Sequence, residues 1–178
     1  MSKSHGKMTV ALGSDLLGEL WGKGYAVYYD HGKGGDEGVG VTSSWIGGEK
    51  KRDNRLAEID IAITRREENK AILLVEIEES GDNPKKIIGA AIAILLGDNV
   101  SPSGQPALNT GSWTTLLVLA KGEGTPHESR TREIETRITQ LFGVAGNNRL
   151  RIGRINLELF QDQRELKSKI LKYLPAHE

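Results

Sequence analysis

Two neighbouring segments, residues 57–64 and 71–79, alternate between two sets of side chains with the period of a β-strand. A short polar connection, residues 65–70, joins them, so the pattern predicts an antiparallel hairpin. The predicted faces are Ile59, Ile61 and Ile63 against Glu58, Asp60 and Ala62 in the first strand, and Leu73, Val75 and Ile77 against Ile72, Leu74, Glu76 and Glu78 in the second.

The rest of the pattern places helices and further strands around this hairpin. Asp82 or Asn83 is suited to cap a helix that begins with Pro84. Glycine-rich residues 32–40 and residues 100–111 are expected to be loops, and residues 41–46 either extend the preceding strand or form a hairpin arm. The predicted helices are residues 9–22, 85–96, 128–142 and 161–174, and the predicted strands are residues 24–31, 112–121 (mostly apolar and therefore central) and 150–160.

Length and composition indicate a globular protein with one domain over residues 1–178. The 178 residues are 37% hydrophobic and 27% charged, and the net charge is zero. A neutral total argues against a nonspecific nucleic-acid coat but permits a local basic groove. Cysteine is absent, which excludes disulfides and thiolate metal sites. No apolar run approaches the roughly 20 residues of a membrane span, and the first residues lack a signal-peptide pattern. These features predict a cytoplasmic protein without a membrane partner.

The hairpin concentrates carboxylates at one end of one sheet face. If its turn is symmetric, Asp60 lies roughly opposite Glu76 and Glu58 opposite Glu78, with Cβ atoms about 4.5–5.5 Å apart. Like charges so placed destabilise a sheet and raise each other's pKa, unless a cation keeps them ionised. Oxygen-only ligands suit a hard divalent cation such as Mg²⁺ or Mn²⁺. The alternative interpretation is a solvated hairpin edge whose acids pair with lysine or arginine.

A basic segment, residues 47–55, precedes the hairpin. It contains Lys50, Lys51, Arg52 and Arg55. The segment is interpreted either as a solvated loop or as an arm that contacts phosphates. The glycine-rich residues 32–40 lack the spacing of a phosphate-binding loop.

Asp60, fifteen intervening residues and then Glu76-Ile77-Glu78 form a motif that resembles the PD-(D/E)xK nuclease superfamily. The predicted element order over residues 12–121 agrees with it. The resemblance implies an α/β fold: a restriction-endonuclease-like αβββαβ core with a mixed central sheet between helices, here extended by a C-terminal strand and helix. Members often carry another acid on the first helix, where Glu19 stands.

The sequence departs from the family pattern at two positions. Ile59 precedes Asp60 where proline is usual, and Glu78 occupies the position of the usual lysine. Some restriction endonucleases use an E-x-E arrangement, and in others the lysine has moved to the following helix, where Lys85 and Lys86 stand. A third alternative is an inactive nuclease-like domain that only binds nucleic acid or protein.

The resemblance implies a role for each candidate residue in the hydrolysis of DNA. Asp60 and Glu76, with the Ile77 carbonyl, would hold one or two Mg²⁺ or Mn²⁺ ions. Glu78 would orient or deprotonate the attacking water or bind a second ion, and Glu19 would hold a metal-bound water. Lys85 or Lys86 would stabilise the developing charge. The residues expected to contact DNA phosphates are Lys50, Lys51, Arg52, Arg55 and Lys85. Because the family often dimerises to cut both strands, a homodimer is one expected state.

Overall fold

The structure, a computed structural model, describes most of the chain. Lys50, Lys51, Asp82 and the glycine-rich residues 32–40 lie outside the described part. The described ranges are residues 7–30, 42–47, 52–79, 83–122, 125–143 and 150–175.

In these ranges the first helix is followed by five strands, and the other helices and strands are interspersed after them. The helices are α1 (Lys7–Leu20), α2 (Pro84–Leu95), α3 (Thr125–Gly143) and α4 (Gln163–Lys172). The strands are β1 (Tyr25–Tyr29), β2 (Thr42–Trp45), β3 (Arg55–Ile59), β4 (Ile61–Arg65), β5 (Lys70–Glu78), β6 (Asn99–Pro102), β7 (Thr115–Lys121) and β8 (Arg154–Phe160). Short 3-10 turns occupy Trp21–Lys23 and Arg52–Asn54.

A mixed sheet lies at the centre of the fold. Among the described residues it has five strands in the order β1-β4-β5-β7-β8. β4 is antiparallel to β1 and β5, whereas β7 is parallel to β5 and β8. The apolar strand predicted at residues 112–121 is confirmed as an internal strand. A smaller sheet has the order β3-β2-β6.

Helices cover both faces of the central sheet, which confirms the predicted α/β architecture with a mixed sheet between helices. α2 and α3 contribute to one apolar cluster, and α1 and α4 contribute to the other. Gly13 permits the close approach of α1 to β1, because a Cβ there would lie 2.2 Å from Cγ of Tyr29. The helical residues buried in these clusters are Ile87, Ala91, Ile94, Leu95, Ile134 and Ile138 on one face, and Leu12, Leu16, Leu20, Leu166 and Ile170 on the other.

The predicted first strand of the hairpin is wrong in one respect, since the chain changes sheets at Asp60. β3 pairs with β2 in the small sheet, and β4 pairs with β1 and β5 in the central sheet. Ile59 therefore packs in the α2–α3 cluster, while Ile61 and Ile63 pack on the opposite side. Glu58 pairs in register with Ser43 of β2, so the predicted pairing of Glu58 with Glu78 is also wrong.

A register shift between Ile63 and Thr64 alters the second strand. Thr64 pairs with Ala71 whereas Ile63 pairs with Leu73, so Ile72 is the extra residue of a β-bulge. Ile72 consequently packs with Leu73 on the α1–α4 side rather than with Leu74. The face predicted for Ile72 is wrong for this reason.

Local signals located the remaining elements with a few exceptions. Residues 100–111 were predicted as a loop, but their start belongs to β6, which pairs with β2. The strand predicted from residue 150 begins at Arg154. Asn83 caps α2 as one of the two predicted candidates, because its side chain accepts a hydrogen bond from the Lys85 N–H. Within the described residues, every helix is too short or too polar to cross a bilayer.

Candidate active site

Three acidic residues meet where neighbouring strands of the central sheet end. Tyr29 of β1 is in register with Ile61 of β4, and Ile61 is in register with Val75 of β5. The next step along the sheet therefore places Asp30, Asp60 and Glu76 side by side. The Asp30 N–H donates to the Asp60 carbonyl at 3.0 Å, which continues the ladder to this row of acids.

The carboxylate of Asp60 is fixed by the backbone of β5. Its Oδ2 accepts a hydrogen bond from the Ile77 N–H at 2.7 Å. The Asp60 side chain thus supplies the acceptor for the Ile77 N–H at the point where the β4 backbone leaves the β4–β5 ladder. The bulge near Ile63 shifts the register by one residue and brings Asp60 level with Glu76. The predicted proximity of Asp60 and Glu76 is confirmed.

Glu76 has the most perturbed electrostatics of this group. Burial raises the pKa of Glu76 to about 9, and the negative charges of Asp60, Glu78 and Asp30 contribute further in the same direction. Its Oε2 is sealed from solvent and has no hydrogen-bond partner among the described residues. An ionised carboxylate in that position requires a compensating cation.

Glu78 and Lys86 complete this end of the sheet. Lys86 lies in the first turn of α2, which Asn83 and Pro84 begin, and its Nζ is 3.5 Å from Glu78 Oε1. The Glu78 side chain is only 18% exposed, whereas that of Lys86 is 50% exposed. The structure therefore brings Lys86 to the acids, and it leaves Lys85 exposed on the same turn.

Glu19 is not brought to these acids. Glu19 lies one short turn before β1, whereas Asp30 directly follows the last residue of β1. The five residues of β1 therefore separate the two acids by about 16 Å along the strand. Glu19 instead pairs with Lys167 of α4 at 3.0 Å and with Lys23 at 3.4 Å. The hydrogen bond from Lys167 is the largest influence on Glu19 and lowers its pKa.

The predicted basic arm is described only in part. Arg52 begins the short turn before β3 and is exposed, and Arg55, the first residue of β3, pairs with Glu58. Lys50 and Lys51 lie outside the described residues.

Asp30 lies in this row of acids but was not among the site residues predicted from the sequence. It is buried, with 7% of its surface exposed, and directly follows the aromatic strand β1. An acid at the end of a buried strand is a signal that the sequence does contain. Its significance depends on the pairing of β1 with β4, which local patterns do not specify.

Asp60 and Glu76 offer oxygen donors, the ligand type that Mg²⁺ prefers. The described residues include no group of three or more histidine, cysteine, aspartate and glutamate residues arranged around a common metal position. Mg²⁺ is usually held by only one or two carboxylates, with water and substrate phosphates as the other ligands. Asp60 and Glu76 are two carboxylates in register on neighbouring strands, and Glu76 Oε2 has no hydrogen-bond partner among the described residues.

A surface cavity of about 430 Å³ between α3, β8 and α4 is the alternative location for a site. Its central acid, Glu158, is already paired with Lys169 at 3.2 Å and with Lys172 at 3.0 Å, and it accepts a hydrogen bond from Tyr173. Burial opposes ionisation of Glu158, but these three donors outweigh it and lower the pKa. A carboxylate so fully compensated indicates a structural network.

We expect Tyr173→Phe to destabilise the protein by about 1–2 kcal/mol at pH 7, because Glu158 loses a hydrogen bond in a partly buried place. Since the folded-state pKa of Glu158 is lowered, its ionic contribution is present above the unfolded pKa and is lost as the pH falls through the folded value. Urea unfolding of both proteins at pH 7 and pH 3 tests this. An unchanged difference at pH 3 would contradict the ionic origin.

Comparison with protein-family models, curated proteins and solved structures gives no match.

Proposed function

We propose that this protein is a metal-dependent nuclease that hydrolyses DNA phosphodiester bonds. One observation carries the proposal. Asp60 and Glu76 lie together at the end of paired strands, Asp60 is held by the Ile77 N–H, and the buried Glu76 Oε2 has no hydrogen-bond partner among the described residues. A divalent cation bound by these two carboxylates would offset the charge of an ionised Glu76.

The element order supports a restriction-endonuclease-like core. In chain order, α1, β1, β4, β5, α2 and β7 follow the αβββαβ sequence, and these strands are adjacent in the central sheet. β2, β3 and β6 form a side sheet outside that core. Asp60 immediately precedes the second core strand and Glu76 lies near the end of the third, and the superfamily carries its acids on these two strands.

Asp60, Glu76 and the Ile77 carbonyl would hold Mg²⁺ or Mn²⁺. When bound, the cation polarises the scissile phosphate and lowers the pKa of the attacking water. The hydrogen bond from Ile77 to Asp60 orients one ligand before any cation binds. Such preorganisation reduces the reorganisation needed during the reaction.

Glu78 and Lys86 together would take the roles of the lysine that is usual in the superfamily. Glu78 accepts a proton from the attacking water, and Lys86 donates hydrogen bonds to a phosphate oxygen as negative charge develops. Their separation of 3.5 Å is longer than an ordinary charge-assisted hydrogen bond, and half of the Lys86 side chain is exposed, so Lys86 can turn from Glu78 toward a phosphate oxygen. The N-terminus of α2 adds positive potential at the same place.

DNA phosphates are contacted outside the acidic site by the basic arm and by α2. Arg52 and Lys85 are exposed and border the segments that carry the acids. Arg55 is paired with Glu58 in an exposed position. Such pairs contribute little to stability, so Arg55 can leave Glu58 and bind a phosphate with little loss of stability. Lys50 and Lys51 remain proposed contacts.

A cleavage assay tests the proposed function. We expect the protein to nick or linearise supercoiled plasmid in Mg²⁺ or Mn²⁺ and to be inactive in excess EDTA, with linear and branched duplexes used to find the preferred substrate. Cleavage that persists in EDTA would contradict the metal mechanism. A melting temperature that rises with Mn²⁺ without cleavage of any substrate would favour the non-cleaving, nucleic-acid-binding alternative.

A further inference from the structure

A surface cavity at the other end of the central sheet combines an exposed tryptophan with positive charge. The cavity, of about 490 Å³, lies where the parallel strands β5 and β7 begin, and Trp113, Lys70 and Arg151 line it. Lys70 is the first residue of β5, whereas Glu76 lies near its end, so the cavity is about 20 Å from the acidic site along the strand. The cavity therefore shares no residue with the candidate active site.

Trp113 is exposed on a turn that the fold holds firmly. Tryptophan is highly buried on average, but 46% of the surface of Trp113 is accessible. The Thr114 N–H closes the turn by donating to the Gly111 carbonyl at 2.8 Å, and the buried Thr114 hydroxyl donates to the Ala71 carbonyl at 2.9 Å. Gly111 lies against the indole, because a Cβ there would be 2.5 Å from Cη2 of Trp113. The ring is thus presented to solvent from a fixed support.

Two cationic side chains lie at the same cavity. The Lys70 Nζ is 4.6 Å from the centre of the Trp113 ring. Arg151 is exposed and lines the cavity from the segment before β8. Gly153 permits this segment to approach the Trp113 turn, because a Cβ there would lie 2.0 Å from the Ser112 carbonyl oxygen. The close packing of the two segments therefore places positive charge beside the aromatic surface.

The cations of the cavity are available to an anionic ligand. Among its described lining residues Lys70 and Arg151 are cationic and Glu68 is acidic, which leaves a net positive charge. Lys70 pairs with Glu68 at 3.4 Å, but the Glu68 side chain is 57% exposed, and exposed pairs contribute little to stability. Arg151 has a left-handed backbone with φ 54°, a conformation that is costly outside glycine and that clusters at ligand sites.

We propose that this cavity binds an unpaired nucleotide of single-stranded DNA, whose base stacks on Trp113 and whose phosphate lies between Lys70 and Arg151. Proteins bind single strands through this combination of aromatic stacking and positive charge. A duplex offers phosphates but keeps its bases paired, so it gives Trp113 no base to stack on. The choice of DNA rests on the proposed function, and the inference names its substrate class as DNA with a single-stranded portion, such as a branch or an overhang.

Fluorescence anisotropy of a labelled single-stranded oligonucleotide, measured in EDTA, tests binding without cleavage in the full chain. We expect Trp113→Ala to weaken this binding about tenfold, the loss typical of one stacked base. Trp113→Phe should retain most of the affinity, because phenylalanine keeps a ring for stacking. A blunt duplex of the same length should bind Trp113→Ala and wild type equally. Trp21→Ala is the matched control, since Trp21 is 38% exposed but its ring is covered by the Arg66 guanidinium at 3.5 Å.

Arg151→Gln tests the phosphate contact separately. It should reduce the slope of log affinity against log salt concentration by about 0.7, the contribution of one phosphate contact on a single strand. Arg164→Gln is the control, because it removes the same charge from an exposed position on α4, which follows the opposite end of β8. The slope of the control should equal that of wild type, and an unchanged slope in Arg151→Gln would overturn the proposal.

The remaining outcomes separate this site from the nuclease function. Single-strand affinity of Trp113→Ala equal to wild type would overturn the site, even if the protein cleaves DNA. An equal loss of affinity for single strands and duplex in Trp113→Ala would also overturn it, because such a loss would not come from stacking of an unpaired base. Single-strand binding that depends on Trp113, in a protein that cleaves no DNA, would support the site and remove the nuclease function instead.

Discussion

Asp60→Asn is expected to reduce metal-dependent DNA cleavage by about a thousandfold. Asparagine retains the size of aspartate and an oxygen that accepts the Ile77 N–H, so the hairpin should remain folded. It lacks the negative charge through which aspartate binds a divalent cation strongly, so it is a weaker ligand. Loss of several kcal/mol of transition-state stabilisation corresponds to about three powers of ten in rate. Initial rates of plasmid nicking at saturating Mg²⁺ measure the effect.

Glu58→Gln provides a matched control for Asp60→Asn. Glu58 lies two residues earlier in the chain, undergoes the same loss of one charge, and is exposed on β3 beside Arg55. Its replacement should leave the cleavage rate within about twofold of wild type, as is normal for surface changes of less than about 0.5 kcal/mol. Equal rates for Asp60→Asn and wild type would place the chemistry elsewhere or reveal a contaminating nuclease.

Local patterns in the sequence predict that Asp60 and Glu76 lie close together, because alternation and a short turn define a hairpin. These local patterns do not predict that the chain passes from the small sheet to the central sheet at Asp60. Residues on either side of Asp60 both alternate, yet β3 and β4 take different partners from distant parts of the chain. The bulge at Ile72 is hidden for a related reason, since an apolar residue is compatible with either buried face.

Asp30 shows even more directly that local patterns do not reveal which strands are neighbours. The family resemblance implies Glu19 as an extra acid of the site, because members often carry an acid on the first helix. In the structure Glu19 lies beside the start of β1, where it pairs with Lys167 and Lys23. Asp30 lies at the opposite end of β1 and reaches the site through the β1–β4 pairing. Which strand lies next to β4 is a long-range property, so no local feature distinguishes Asp30 from an ordinary aspartate at a strand end.

The second large effect is expected on the pH dependence of stability when Glu76 is replaced. Without metal, Glu76→Gln is expected to stabilise the protein by about 1–3 kcal/mol at pH 8 and to have little effect near pH 5. Burial, reinforced by Asp60, raises the folded-state pKa of Glu76 to about 9 from an ordinary value of 4.5. Between these values the folded protein holds a proton that the unfolded chain has released. The stability of wild type therefore falls as the pH rises through this window, and the glutamine variant lacks that penalty.

Urea unfolding of wild type and Glu76→Gln in EDTA at pH 5, 6.5 and 8 measures this difference. Glu67→Gln is the control, because it removes the same charge from the exposed turn at the other end of the β4–β5 hairpin. Its effect should not grow with pH. A Glu76→Gln effect of equal size at every pH would mean that burial and Asp60 do not raise the pKa of Glu76.

Divalent metal should reverse the order of stability, and this reversal separates a metal site from a group of crowded surface acids. A cation that binds only the folded protein stabilises it by about 2.7 kcal/mol at a concentration 100 times its Kd. Wild type gains this term because metal binding ionises Glu76, whereas glutamine contributes a weaker, uncharged ligand. At pH 8 in Mn²⁺, wild type should thus become more stable than Glu76→Gln. If the acids were only a solvated hairpin edge, Mn²⁺ would shift both proteins equally and the order would not change.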